Sequence, residues 1–283
     1  MTNSTSCEST SGCPPSAKFH FDIPRFSATA SQLVEKLNQG DTNVPSIIQL
    51  IECEPTISSQ VLRLANSPIY GASRVITTIG HAIVVLGFRC VSQQAIAAAS
   101  GTLFKEGDQE NAKHRMATYV QSLGIATAAR FIAKQAKNVN PDEAFLGGVV
   151  HDVGKLVLFQ YAGMEYAKLL EEHPHEKSLA AELEAYGISH TTLGRQCGIA
   201  WSLPHHLCAS IEDHHVPPSE ASAPLTKTLV MASYLAKKWQ LGFEQEIFAE
   251  DLDLEQEIAV FESEESAEKC REEFQAIREI CLS

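Results

Sequence analysis

The chain has 283 residues, 44% hydrophobic and 20% charged, enough apolar material for a large packed core and too much for a disordered chain. No run is long and apolar enough to cross a bilayer, and the opening MTNSTSCESTSGCPPSAK lacks the basic start and apolar centre of a secretory signal, so a cytoplasmic protein with no membrane partner is expected. The net charge of -13 is concentrated at one end, where Glu244 to Ser283 carries 14 acidic against 3 basic residues, a net of -11; with no basic stripe elsewhere, nucleic acid is not expected as a partner.

Residues 1–18 are rich in Ser and Thr, contain Pro14-Pro15 and show no apolar periodicity, which predicts a disordered lead. From Phe26 onward the apolar spacing is helical. Leu33 and Leu37 mark a first helix, and Ile47, Ile48, Leu50 and Ile51 a second that Pro45 opens. Pro55 opens a third, which Asn66-Ser67-Pro68 stops. Thr78 reads as the N-cap of a helix over 79–86 closed by Gly87, and a further helix covers 88–100. A polar break over 101–110 is a candidate boundary. A long helix over about 114–137 is separated by Asn140-Pro141-Asp142 from one carrying FLGGVVHDVGKLVLFQ, residues 145–160. Helices are then predicted at 162–172, 178–186, 189–198, from Leu203-Pro204 to His214-His215, and over 225–240. The acidic end keeps helical spacing in Leu254, Ile258 and Phe261 and again in Cys270, Phe274, Ile277 and Cys281. Val75 to Thr77 is the best strand candidate and a poor one, so the fold class is all-α. The eight cysteines form no Cys-x-x-Cys pair, which argues against a zinc ribbon or redox dithiol and for small buried hydrophobes.

The chemistry-bearing feature is His151-Asp152 inside an apolar run, with Lys155 three residues on. Aspartate and lysine are rarely buried unless paired. On a continuous helix these three side chains would share one face. Asp152 and His151 could ligate a metal while Lys155 meets a phosphate; a hydrogen-bonded structural pair is the alternative. His190 in SHTTLGRQCGIAWSLPHH and His214-His215 in ASIEDHH supply more imidazole, suited to iron, manganese, zinc or nickel. His214-His215 could equally interact with a helix C-terminus alone. Asn66, Ser67 and Tyr70 read as turn residues or, alternatively, as a ligand or partner surface. Gly147-Gly148 fits close helix packing, and Trp201 and Leu203 read as core.

Three stretches together, EPTISSQVLRLANSPIYGASRVITTIGHAIVVLGFRCV, AFLGGVVHDVGKLVL and HTTLGRQCGIAWSLPHHLCASIEDHH, resemble the HD-related output domain (HDOD) family over about 24–240. That family is a signalling branch related to HD and HD-GYP metal-dependent phosphohydrolases. The resemblance implies metal ligands at His151, Asp152, His190, His214 and His215 and a phosphate contact at Lys155. It also implies three substituted ligand positions, Ala117, Gln121 and Ser233, and the GYP motif is missing after the double histidine.

The expected architecture is a disordered lead at 1–18, an N-terminal helical subdomain at 19–110, an HD-like helical core at 111–240 and an acidic helical segment at 241–283. The expected role is a stand-alone bacterial signal-transduction output module without turnover, binding a signalling protein or a nucleotide-like ligand, with at most one divalent metal as cofactor. The alternative is a metal-dependent phosphohydrolase or phosphodiesterase acting on a nucleotide or cyclic dinucleotide. The lost positions disfavour that alternative, because a second cation would lack anionic donors.

Overall fold

The computed structural model describes residues 21–40, 43–71, 75–173, 177–217, 220–221, 223–243 and 258–282. The predicted lead at 1–18 and Leu254 lie outside them. The described residues are helical and contain no strand; Val75 to Thr77 is irregular chain.

The N-terminal helices begin and end where local chemistry dictates. In α1 (Ala28–Gln39) the Ser27 hydroxyl accepts from the Ala30 amide, and Gly40, at φ 65°, closes the helix in a conformation that favours glycine. Asn43 caps α2 (Val44–Glu52), and α3 (Pro55–Ala65) starts on a proline. Thr78 accepts from the His81 amide to start α4 (Ile79–Leu86), and Gly87 ends it, as expected. Asn66 and Ser67 act as turn residues. Both polar atoms of the Asn66 amide bond the backbone of Ile76 at 2.7 Å, and Ser67 donates to the Leu64 carbonyl at 2.6 Å. Tyr70 does something else, described below.

α5 (Phe88–Lys105) is buried almost all round by small side chains and packs against α1, α3, α4, α6 and α7. It runs through Gly101, so the polar break begins only at Glu106. A Cβ at Gly101 would collide with the Tyr119 ring of α6; without one, α5 and α6 cross closely. α6 (Ala112–Ala136) and α7 (Pro141–Val150) form a hairpin, with Asn140 accepting from the amides of Asp142 and Glu143. Gly148 faces the Ala126 backbone so tightly that a Cβ would overlap it, which is the close packing expected of Gly147-Gly148. After α8 (Val153–Ala162), α9 (Met164–Glu172) and α10 (Lys177–Tyr186) come α11 (His190–Ala200), α12 (His205–Glu212) and α13 (Pro224–Lys238). Trp201 is core: it stacks on Phe26 at 4.4 Å and donates to the Pro24 carbonyl at 2.8 Å.

The acidic C-terminal helix, α14 (Glu264–Leu282), buries Ala267, Cys270, Phe274 and Ile277. It packs on both parts of the chain, against α3 and α6. Its Glu273 lies 2.8 Å from Arg130 of α6, a fully buried guanidinium, and Arg63 of α3 donates to the Ile280 carbonyl at 2.9 Å. Arg130 also donates to the Tyr70 hydroxyl at 3.0 Å and stands 4.3 Å over the Phe145 ring. Tyr70 in turn reaches Asp142 at 3.3 Å. Tyr70 therefore ties the N-terminal helices to the core as well as shaping a turn. Cys90, Cys197, Cys208 and Cys270 are buried thiols, as expected, while Cys53 is exposed. A single hydrophobic cluster runs from Phe26 to Ile277.

Candidate metal centre

His151 and Asp152 do not lie within one continuous helix. They form the junction at which α7 ends and α8 begins. Asp152 occupies the N-cap position of α8 without capping it, because its carboxylate is turned to other partners. One oxygen takes the Lys155 ammonium at 2.7 Å; the other faces His190 and His214 at 3.5 Å each. His190 is the first residue of α11, held there by Ser189, whose hydroxyl accepts from the Thr192 amide. α12 stops at Glu212, so His214 and His215 lie just past it in a turn rather than on the helix.

The rings are oriented by what their outer nitrogens bind. His151 Nδ1 lies 2.7 Å from the Gly148 carbonyl, and His214 Nδ1 lies 2.7 Å from the Ile211 carbonyl. Both acceptors are carbonyls at helix C-termini, so the helix-end interaction expected of His214 accounts for one of its two nitrogens. His190 Nδ1 lies 2.8 Å from Glu182, whose other contacts are the His190 amide at 2.7 Å and the Tyr166 hydroxyl at 2.8 Å. Each outer nitrogen thus donates to oxygen, which leaves Nε2 as a lone pair turned inward, the arrangement that fixes metal-binding histidines. His215 Nε2 stands 3.2 Å from His190 Nε2.

The electrostatics agree. Burial opposes charge on Asp152, but Lys155 and His151 beside it hold its carboxyl well below the usual range. Burial lowers His214 to about 4. Burial, helped by His214 and His190, keeps His215 well below its ordinary value. Near neutral pH the centre therefore sets the Asp152 carboxylate beside the neutral imidazoles of His214 and His215.

Asp152 Oδ1 and His214 Nε2 are buried and make no hydrogen bond, although 3.5 Å apart. Leaving two such atoms unsatisfied is costly. Donors bound at about 2.0–2.2 Å to one ion lie roughly 3.0–3.5 Å apart, which is the spacing found. Ligand atoms of His190, His214 and His215, and those of His151, Asp152 and His214, each lie within 4.8 Å of one another. The two sets share His214, and each offers the nitrogen and oxygen donors that suit a divalent ion of the iron, manganese, zinc or nickel type.

The sequence expectation missed Glu182 and Tyr166. A glutamate in AAELEAY looks solvated, yet it is wholly buried. The available signal was the four-residue spacing of Ser178, Glu182 and Tyr186, the buried face of α10. Glu182→Gln is expected to weaken metal affinity about 10- to 100-fold, read by competition with a chromogenic chelator. Gly154, too, holds the site together, since a Cβ there would overlap the His190 carbonyl. Gly154→Ala is expected to push α8 from α11, lowering both the melting temperature and the metal stoichiometry.

Two of the three substituted positions, Ala117 and Gln121, lie one turn apart on α6, and the third, Ser233, lies on α13. Ala117 is exposed on α6, Gln121 is half-buried where Gly242 packs against the Val120-Gln121 backbone, and Ser233 is half-buried on α13. None of them hydrogen-bonds to the histidine cluster among the described residues.

An all-helical chain that breaks a helix at His-Asp and gathers histidines to it from the start of α11 and the turn after α12 brings together the residues that the sequence resemblance implied. A family model described as the HDOD domain matches residues 23–217, and the chain belongs to the HDOD family. A Geobacter sulfurreducens HDOD protein of unknown function superposes with a TM-score of 0.68 at 24% identity, over 92% of each chain. A Shewanella amazonensis SB2B protein whose name proposes a phosphohydrolase gives 0.69 at 22% identity, over 92% of this chain and 94% of that one. Another from the same organism, whose name proposes metal-dependent phosphohydrolase activity, gives 0.69 at 18%, over 92% of this chain and 93% of that one. These likenesses show the shared fold. An uncharacterised Treponema pallidum (strain Nichols) protein is 22% identical over 222 residues, 75% of this chain; the chain spans 42% of that protein's length. No helix among the described residues is long and apolar enough to cross a membrane.

Proposed function

We propose that the protein is a bacterial signal-transduction output module that holds one divalent metal ion in a closed centre and acts by binding, without turnover. Its partner is a signalling protein or a nucleotide-like ligand. The burial and saturation of the centre carry this reading. His151, Asp152, His190 and His214 are each less than a tenth exposed. Were all five donors, His215 included, to take one six-coordinate ion, a single position would stay open, one fewer than an attacking water and a phosphoryl oxygen need together. Catalytic sites keep positions open for water and substrate. Ala117, Gln121 and Ser233 offer no carboxylate or imidazole for a second ion.

One observation favours the second reading, a metal-dependent phosphohydrolase or phosphodiesterase. The Lys155 side chain is 16% exposed beside Asp152, so its ammonium stands at the rim of the centre, where it would hold a phosphate oxygen. A bound divalent ion would supply Lewis-acid charge to such a group. The test is an assay of metal-loaded protein against bis-p-nitrophenyl phosphate and cyclic dinucleotides, with Lys155→Ala alongside. No metal-dependent hydrolysis is expected. Hydrolysis that Lys155→Ala abolishes would replace the output-module reading with the enzymatic one.

A further inference from the structure

A second concentration of unsatisfied buried polar atoms lies away from the metal-centre residues, under α14. A small hollow between α3, α5, α6 and α7 is lined by Gln60, Gln94, Tyr119 and Phe145, and Ile280 and Cys281 of α14 close it. Gln60 and Gln94 are over nine-tenths buried, and the Gln60 carbonyl and both polar atoms of the Gln94 amide make no hydrogen bond. On α6, Arg130 Nη2 meets Glu273 Oε1 at ion-pair distance, but the angles are not those of a hydrogen bond, and Arg130 Nε is also left over. The face is therefore built to receive more polar pairing than α14 gives it. α14 itself touches the core through Ala267, Cys270, Phe274 and Ile277 and, at its end, through the partly buried Ile280, Cys281 and Leu282, and its remaining face is polar and charged. Unpaired polar groups and a buried ion pair weaken its hold relative to an apolar seam.

We propose that α14 is a tethered competitor: it fills in cis a helix-docking groove whose exchange partner is an acidic amphipathic helix of another protein, which delivers a carboxylate to Arg130. This rests on the reading of the protein as a binding module and names the chemistry of its partner. The recognition mode is helix-in-groove. The required pattern is the one α14 displays, with small or apolar residues at i, i+3, i+7 and i+10 and a carboxylate one position before the third of them. A second copy's α14 gains nothing over the identical cis helix, which enjoys the higher effective concentration. A foreign helix that also pairs the Gln94 amide and Arg130 Nε can displace it.

The test uses a labelled peptide of sequence 264–282 with the full chain and with Phe274→Glu/Ile277→Glu, which vacates the groove. The peptide is expected to bind the variant at least tenfold more tightly than the wild type. Glu273→Gln in the peptide should weaken that binding at least tenfold, while the exposed Glu272→Gln should leave it unchanged. A variant that melts cooperatively yet does not bind the peptide, or binds both glutamine peptides alike, overturns the proposal. Should the variant not fold, hydrogen exchange on the wild type decides. Exchange of α14 amides well before those of α5 and α6 supports the proposal; exchange only together with them overturns it. A wild-type dimer that the double substitution dissociates would assign the groove to a second copy and overturn the foreign partner. The readout does not use the metal centre, so discovery of hydrolysis would remove the output-module reading and leave the peptide result standing.

Discussion

Asp152→Ala is expected to lower metal affinity by well over 100-fold. Partners that merely orient a ligand contribute about 10- to 100-fold, and Asp152 is the one carboxylate among the proposed donors, so its removal leaves only imidazoles to bind a cation. The substitution also strips Lys155 of its partner at 2.7 Å. Some loss of stability should accompany it, smaller than for a fully buried pair because Lys155 keeps contact with water. Isothermal titration with zinc or manganese, together with a thermal melt, reads both effects. His206→Ala is the control, since that exposed histidine pairs with Glu143 at 2.8 Å and faces no metal-capable cluster. Equal affinity in the Asp152 and His206 variants would mean that the ion binds elsewhere.

The largest expected change in stability comes from Arg130→Met. Arg130 is 1% exposed and Glu273 12%, and removing one member of a buried ion pair costs about 3–5 kcal/mol because the other charge stays behind without compensation. Tyr70 loses its donor at the same time. Adding Glu273→Leu should recover most of the loss, since replacing both partners with apolar groups is often neutral. Urea titration of the two single variants and the double variant measures the coupling. Losses that simply add across the two sites would show that the pair is not the unit holding α14 to α6.

The helical scaffold was legible because its signals are local. Thr78 marks a helix start through its cap, Gly87 a helix end through a positive φ, and Pro45 and Pro55 mark helix starts. The centre was legible in its donors and not in its geometry. His151-Asp152, His190 and His214-His215 could be named from the chain, but the helix break at 151–152 could not, because Gly154, the one breaker residue in HDVGK, lies inside α8 and not at the break, and the spacing of His151, Asp152 and Lys155 suits a continuous helix. Asp152 leaves the helix for tertiary partners. Glu182 escaped because a carboxylate buried by one histidine from a later helix looks, in sequence, like any solvated glutamate. The role of the acidic end was hidden likewise: a charge run is ordinarily a solvated face, while Glu273 alone among its neighbours turns inward to Arg130. Tyr70 was read as a turn residue or as part of a ligand or partner surface, whereas its side chain meets Arg130 of α6 and Asp142 of α7.

The most direct test is elemental analysis of untagged protein purified without chelator, beside His151→Ala/Asp152→Ala. A closed single-ion centre requires close to one equivalent of iron, manganese, zinc or nickel in the wild type and essentially none in a normally folded double variant. Absence of metal from both, or an equal amount in both, would contradict it and leave the His-Asp pair as a hydrogen-bonded structural element.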